Sequence, residues 1–320
     1  MYLVTGGAGF IGSHLVKALN DRGETEITVV DDLTNGQKFT NLADCTIADY
    51  MDKSELADRV LSDGMHNQFK AIFHQGACTN TMESDGMYMM ENNYSFSKLL
   101  FHYALENQIP FVYASSGATY GASTNFEIDP VNEKPLNVYG YSKLVFDQHV
   151  RRHLHLAEST VVGLRYFNVY GPRETEKGKM ASMVYQLYRQ LSKKGKAKLF
   201  KGTDGYGDGE QLRDFVYVED VAKLNLFFAE NEVTKGIFNC GTGQARSFND
   251  IANCLIKLLG KGKIEYIDFP EELNGKYQSY TQADIVALRE AGYTEPFLSL
   301  EDGIDRAVEG WRARTTIKAK

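Results

Sequence analysis

The residues best suited to chemistry lie near the middle of the chain. Tyr139 and Lys143, in Tyr139-Gly-Tyr-Ser-Lys143, stand four apart, and on a helix that spacing stacks a phenol and an ammonium on one face. A phenol with an ordinary pKa of about 10 is a poor base near neutrality. A neighbouring cation favours the phenolate and brings proton transfer into range. Tyr-x-x-x-Lys also arises by chance on solvent-facing helices, so the pair alone decides little. Upstream, however, FVYASSGATYG carries a strand-like run to Ser115 and Ser116, and Ser116 is placed to hydrogen-bond a substrate hydroxyl or carbonyl. Tyr141 is the competing tyrosine, but only Tyr139 lies four residues before the lysine. The set reads as acid–base chemistry at a hydroxyl or carbonyl oxygen.

The elements that must position this set begin at the other end of the chain. YLVTG, strand-like, runs into Gly6, Gly9 and Gly12 of GGAGFIG, and an amphipathic stretch follows from Phe10 to Asn20. The glycines permit a tight turn and a close approach of backbone amides to a diphosphate, while the helix start supplies partial positive charge. A second strand, ITVVDD, follows at the distance a dinucleotide-binding βαβ unit requires. Asp31 and Asp32 end that strand, where a carboxylate accepts a hydrogen bond from the adenosine ribose of NAD. Lys38 and Lys53, downstream, would instead neutralise the 2′-phosphate of NADP, although for a lysine a solvated surface position is the usual reading.

Short apolar runs alternate with amphipathic ones through AIFHQGA, Met87 to Asn107, and FVYASS, the pattern of βαβ units building a doubly wound parallel α/β (Rossmann) sheet over the first 170 residues or so. VVGLRYFNVYGP, from Val161 to Pro172, reads as a further strand running into a loop. Beyond it, Met180 to Leu191 has helical spacing, KKGKAKLF resembles a turn entering a strand, and Gly202 to Gln211 is a glycine-rich loop. FVYVEDVAKLNLFFAE and GIFNCGTG read as a return to the main sheet. The expected organisation is a dinucleotide-binding domain over 1–171 plus 213–243, with a smaller, discontinuous carboxy-terminal substrate lobe over 172–212 and 244–320. The closing TTIKAK is expected to fray.

A net charge of −7, from 35 Lys+Arg and 42 Asp+Glu, offers no broad attraction to nucleic acid or to an anionic membrane, so any phosphate must be held locally. Cys45, Cys78, Cys240 and Cys254 are scattered without a Cys-x-x-Cys pair, which predicts free thiols, no disulfides and no metal site. The chain opens directly into its first strand without an export signal, and a cytoplasmic protein is expected.

TGGAGFIG, YASSGATYG, YGYSK, RYFNVYGPR and RDFVYVEDVA together resemble the extended short-chain dehydrogenase/reductases that act on nucleotide sugars, and the glycine spacing is theirs. IADYMDK (Ile47 to Lys53), AIFHQGACT, YMMENNYSFSK, EKPLNVYGYSK, FNVYGPRETEKGKMAS and YQSYTQAD resemble, more narrowly, the ADP-glyceromanno-heptose 6-epimerase family. That resemblance implies an ADP-linked heptose substrate, epimerised at C6 for the lipopolysaccharide inner core, a tightly held NADP rather than NAD, and a homo-oligomer, a pentamer. It also implies that Phe10, Ile11, Asp31, Asp32, Lys38, Lys53, Gln75, Gly76, Ala77, Cys78, Thr79, Asn92, Val169 and Lys177 line the cofactor site. Lys143 then holds the nicotinamide ribose. Asn168, Arg213, Tyr277 and the run Phe200, Lys201, Gly202 and Thr203 would meet the sugar nucleotide. Lys179 and Gln186 are carried over as substrate contacts, although the family pattern has a small hydroxyl residue and a histidine there.

Inverting a carbinol centre requires removing hydride, turning the ketone over, and returning hydride to the other face, so proton traffic is needed on both sides of one carbonyl. Tyr139 serves one side. Lys177 occupies the position the family uses for the opposing acid/base, which requires its pKa to be lowered by burial or a nearby cation. A nucleotide-sugar 4-epimerase, a 4,6-dehydratase and a non-catalytic dinucleotide-binding sensor or scaffold are the competing readings. A dehydratase is expected to carry an Asp-Glu pair beside its active-site hydroxyl; here Ser116 is followed by Gly117, Ala118 and Thr119. A sensor can lose the tyrosine or the lysine, and both are present.

Overall fold

A computed structural model describes residues 1–65, 69–231, 233–271 and 277–318. The amino-terminal half builds β1 (Tyr2–Thr5), α1 (Phe10–Asp21), β2 (Ile27–Asp31), β3 (Asp49–Asp52), α2 (Lys53–Leu61), β4 (Ala71–His74), α3 (Gly86–Met90), α4 (Phe96–Glu106), β5 (Phe111–Ser116), α5 (Val138–His153) and β6 (Val161–Tyr166). There follow β7 (Asn168–Tyr170), α6 (Met183–Lys194), β8 (Lys196–Phe200), β9 (Leu212–Tyr217), α7 (Val218–Glu230), β10 (Lys235–Cys240), β11 (Ala245–Ser247), α8 (Phe248–Leu259), β12 (Lys263–Ile267), α9 (Val286–Glu290) and α10 (Leu300–Lys318).

Seven of these strands form one sheet in the order β10-β6-β5-β4-β1-β2-β3, every pair parallel. Apart from the edge strand β3, of which only Met51 is buried, its strands are largely buried on both faces and read as continuous apolar runs. Side chains alternate across them. Val4, Val29, Phe73, Val112 and Leu164 pack toward α1 and α7, while Leu3, Val30, Ile72, Phe111 and Tyr113 pack toward α4 and α5. The doubly wound α/β fold expected from the sequence is the fold found. Strand order reverses between β1 and β4, which opens a crevice at their carboxyl ends.

A further core gathers α6, α8, α10, β8 and β9. The segment 213–243 is divided: α7 and β10 join the large sheet, whereas β9 pairs with β7 and with antiparallel β11. β12 lies parallel to β8. The stretch from Met87 to Asn107 is not one regular helix, because Glu91–Ser95 takes a wider π turn between α3 and α4. TTIKAK continues α10 as far as Lys318, and residues 319–320 lie outside the described residues. Among the described residues no helix is long and apolar enough to cross a membrane. All four cysteines are free, as their spacing predicts.

Candidate active site

The glycine turn fills the crevice beside the switch in strand order. Gly6 has φ +65°, and a Cβ there would lie 2.7 Å from the Gly76 Cα in the loop after β4. A Cβ on Gly12 would lie 2.2 Å from the Gly6 carbonyl oxygen, so the first turn of α1 is pressed against the loop to a degree only glycine allows. Gly9 caps α1 without a side-chain hydrogen bond, and the first turn holds no acid, so the amides of Phe10, Ile11 and Gly12 stay aimed at the crevice mouth. These features fit a dinucleotide diphosphate.

Asp31, Asp32, Lys38, Lys53, Gly76, Ala77, Cys78 and Asn92 line one cleft with Gly6. Asp31 is buried and engaged: its carboxylate accepts from Ala8 N (2.8 Å), Asp32 N (2.8 Å) and Lys38 Nζ (2.7 Å). Lys53 donates to Asn92 Oδ1. Hydrogen bonds from Thr34 hold the Asp32 carboxyl below its ordinary range, helped by Lys38 and Lys53. Gln75 turns away from the cleft, accepting from Tyr166 Oη (2.9 Å) and donating to Asn225 Oδ1 (3.1 Å). Thr79 is exposed and Val169 half-buried.

β5 delivers the two serines to different tasks. Ser115 donates to buried Asp147 (2.9 Å), and Ser116 accepts from Ala118 N (3.1 Å) and acts on the Tyr139 phenol to favour its ionised form. Asn137 caps α5, its side chain accepting from Gly140 N at 2.8 Å, and this sets Tyr139 in the first turn. Burial pushes the phenol above its ordinary value and Ser116 works against it. Lys143 was expected to draw the phenol down, yet its ammonium is directed at the Ala114 carbonyl (2.8 Å), and burial lowers Lys143 itself to about 8. Asp147, two turns after Tyr139, also accepts from Tyr113 Oη (2.9 Å) and from fully buried Arg165 Nε (3.0 Å), which ties α5 to β5 and β6.

Lys177 sits in the turn Thr175–Met180, its ammonium 5.5 Å from the centre of the Phe10 ring. Burial lowers its pKa, with Glu174 and Glu176 opposing. The corner that carries this turn is pinned from three sides. His14 meets the Pro172 carbonyl (3.0 Å), Trp311 of α10 donates to Gly171 O (3.0 Å), and Asn41 bridges Arg173 O (3.0 Å) to Ala8 O (3.1 Å) of the glycine turn. Arg173 holds φ +67° there. Thr81, from the loop after β4, reaches Met180 Sδ at 3.9 Å, so the Lys177 turn closes over the cofactor loop.

In the second lobe Phe200, Arg213 and Tyr277 come together. The Arg213 guanidinium lies 4.8 Å over the Tyr277 ring, and Phe269 packs edge-on against Phe200 (5.4 Å) and Tyr277 (5.3 Å). This cationic, aromatic wall suits a stacked base with phosphates beside it. Lys201 pairs instead with Asp268 at the surface (2.8 Å). Gly202 N donates to Asp208 Oδ1 (2.8 Å), and Thr203 O accepts from Tyr206 N (3.0 Å). Asn168 and Lys179 are exposed, and Gln186 directs its amide at the carbonyls of Lys179 (3.2 Å) and Ala181 (2.8 Å).

Sequence reasoning singled out Asn92 and passed over its neighbour. Asn93 is fully buried; it accepts from Cys78 N (2.7 Å) and donates to Cys78 O (3.0 Å) and Ser142 Oγ (3.1 Å), while Ser142 donates to Tyr139 O (2.7 Å). One side chain thereby joins the cofactor loop to the catalytic helix. Asn41, Asp147, Arg165, Glu174 and Phe269 were missed likewise. No sequence signal marks Asn93, a polar residue in an ordinary amphipathic stretch whose partners lie 15 and 49 positions away.

The pattern of the NAD dependent epimerase/dehydratase family matches residues 2–241. The chain is 55% identical over 304 residues to an ADP-L-glycero-D-manno-heptose-6-epimerase of Alkalilimnicola ehrlichii, over 95% of each chain. A crystal structure of ADP-L-glycero-D-manno-heptose-6-epimerase from Helicobacter pylori superposes with a TM-score of 0.86 at 35% identity, covering 98% of this chain and 96% of that one. UDP-glucose 4-epimerase from Thermus thermophilus in complex with NAD superposes with a TM-score of 0.78 at 26% identity, covering 97% and 98%.

Proposed function

Because the chain belongs to the NAD dependent epimerase/dehydratase family, we propose that it inverts C6 of ADP-glycero-manno-heptose, from D-glycero to L-glycero, through a transient 6-keto sugar with tightly bound NADP. The product serves the lipopolysaccharide inner core. The observation that carries this reading is a pair of acid–base groups of different kind: buried Tyr139, with Ser116 favouring its ionised form, and Lys177 with its pKa lowered by burial, over the first residue of α1.

With its diphosphate held at the glycine turn, a nicotinamide dinucleotide would supply the hydride acceptor and donor, and its oxidised ring would carry a positive charge. Tyr139 accepts the hydroxyl proton as the carbinol is oxidised, and Ser116 steadies the reacting oxygen. Lys143 holds the ribose, and the charge that favours the phenolate comes from the oxidised nicotinamide. Once the ketone has turned over, Lys177 delivers the proton to its oxygen from the opposite side. Lys38 and Lys53, beside Asp31 and Asp32 in one cleft, support NADP over NAD by offering two ammonium groups to a 2′-phosphate. Arg213, Tyr277 and Phe200 take the ADP end.

The test is to mix the purified protein with ADP-D-glycero-manno-heptose, add no cofactor, and follow C6 by proton NMR. Conversion to the L-glycero epimer, with NADP released on denaturation, is the expected result. Inertness toward this sugar together with inversion at C4 of a UDP-hexose would favour the 4-epimerase reading, which a single tyrosine can serve. A protein that releases cofactor and changes no nucleotide sugar would be the sensor.

A further inference from the structure

Far from the glycine turn, α4 and α5 lie side by side on the outside of the sheet, and three histidines meet between them. His149 and His153 stand one turn apart on α5 with ring centres 4.3 Å apart; His102 of α4 faces them at 5.0 and 5.3 Å. One ring nitrogen from each lies within 4.8 Å of the other two. We propose that His102, His149 and His153 form a site for a divalent transition ion of the zinc class, with three imidazole ligands and a fourth position open to water.

The ring settings support ligation over mere packing. His153 Nδ1 donates to the His149 carbonyl (2.8 Å), which fixes the tautomer and leaves Nε2 with a free lone pair. The Nε2 atoms of His102 and His149 face one another at 2.9 Å. Two nitrogens on a tetrahedral zinc, at bond lengths of about 2.0–2.1 Å, stand about 3.3 Å apart, so the pair is within a few tenths of an ångström of that spacing. Phe101 lies edge-on to His149 (5.8 Å) and His153 (6.2 Å), and Tyr94 edge-on to His149 (6.1 Å), so the rings are held by neighbours.

The expectation of no metal rested on the scattered cysteines and on the lack of a histidine cluster near them. The spacing that matters here is His149-x-x-x-His153 on one helix, completed from another helix forty-seven residues earlier in the chain. His149 lies ten residues along α5 from Tyr139, about 15 Å at the helical rise, so the ion takes no part in the chemistry. Its effect is to clasp α4 to the helix that carries Tyr139 and Lys143.

The test uses the full chain with its cofactor, stripped of metal by chelator and titrated with cobalt(II) and then zinc(II). One equivalent should bind, cobalt giving the intense visible bands of a four-coordinate ion that zinc then abolishes. His102→Gln, His149→Gln and His153→Gln should each weaken binding at least about 100-fold, since loss of even an outer-shell partner costs about 10–100-fold. Cofactor content and turnover of the metal-free variants should equal those of the metal-free parent. Nitrogen-15 NMR of the parent needs no variant and should show three imidazoles shifting with one equivalent of zinc. An octahedral cobalt spectrum, unshifted imidazoles, or variants that bind as tightly as the parent would overturn the proposal.

Discussion

Replacing Lys177 with alanine removes the ammonium above Phe10 and leaves the Tyr139–Ser116 pair and the glycine turn as they are. The structural cost is small: a cation over an aromatic face at a partly exposed site contributes about 0.5–1 kcal/mol, and the burial that lowers the lysine pKa already opposes its charge. The kinetic cost is larger. A positioned acid or base contributes about 10²–10⁴-fold, and at about 1.36 kcal/mol for each factor of ten this corresponds to about 2.7–5.4 kcal/mol of barrier. K177A should therefore lose about two to four orders of magnitude in kcat while its melting temperature and bound cofactor stay close to the parent's. Turnover is followed by NMR at C6, and cofactor content by the nicotinamide released on denaturation. A variant that retains its cofactor and turns over within about tenfold of the parent would refute the two-base assignment and leave Tyr139 to act alone.

Asn93→Ala strips partners from the Cys78 amide and carbonyl and from Ser142 at once. With about 1–3 kcal/mol for each buried group left unpaired, chemical denaturation should show a loss of about 2–4 kcal/mol, and cofactor should dissociate more readily; an unchanged midpoint would mean that this bridge carries no strain-free advantage. Glu174 supplies a test in pH. Burial raises its carboxyl from 4.5 to about 7, so the folded chain keeps a proton the unfolded chain releases, and stability should fall as pH rises from about 4.5 to about 7 by on the order of 2–3 kcal/mol. Glu174→Gln should flatten that part of the profile of denaturation midpoint against pH, and an equal slope in both proteins would discount the carboxyl.

What could be read from the chain was local in sequence. Gly6, Gly9 and Gly12 announce themselves because a turn and a close approach restrict residue type at neighbouring positions, and Tyr139 and Lys143 because one helical turn links them. Strands buried on both faces are visible as apolar runs, but a run does not say which strand it joins. FVY of β9 has the same composition as the strands of the large sheet, and its actual partners, β7 and β11, depend on how the second lobe folds back. Asn93, Asn41 and Arg165 were invisible for a related reason. Each is polar in an unremarkable stretch and gains its importance from partners between 15 and 132 positions away. Gln75 shows the converse, a residue in a cofactor loop whose amide serves Tyr166 and Asn225 beneath it.

The indole of Trp311 reaching Gly171, with Gly310 against Pro172 so tightly that a Cβ would stand 2.4 Å from the proline ring, has a consequence for biosynthesis. During translation the strands that cradle a dinucleotide leave the ribosome long before the last helix does. A nascent chain that has exposed β1 to β6 still lacks β10 of the same sheet, and it lacks the wedge behind the Lys177 corner until α10 has emerged. The corner that carries Lys177 is thus completed by a contact spanning 140 positions of the chain.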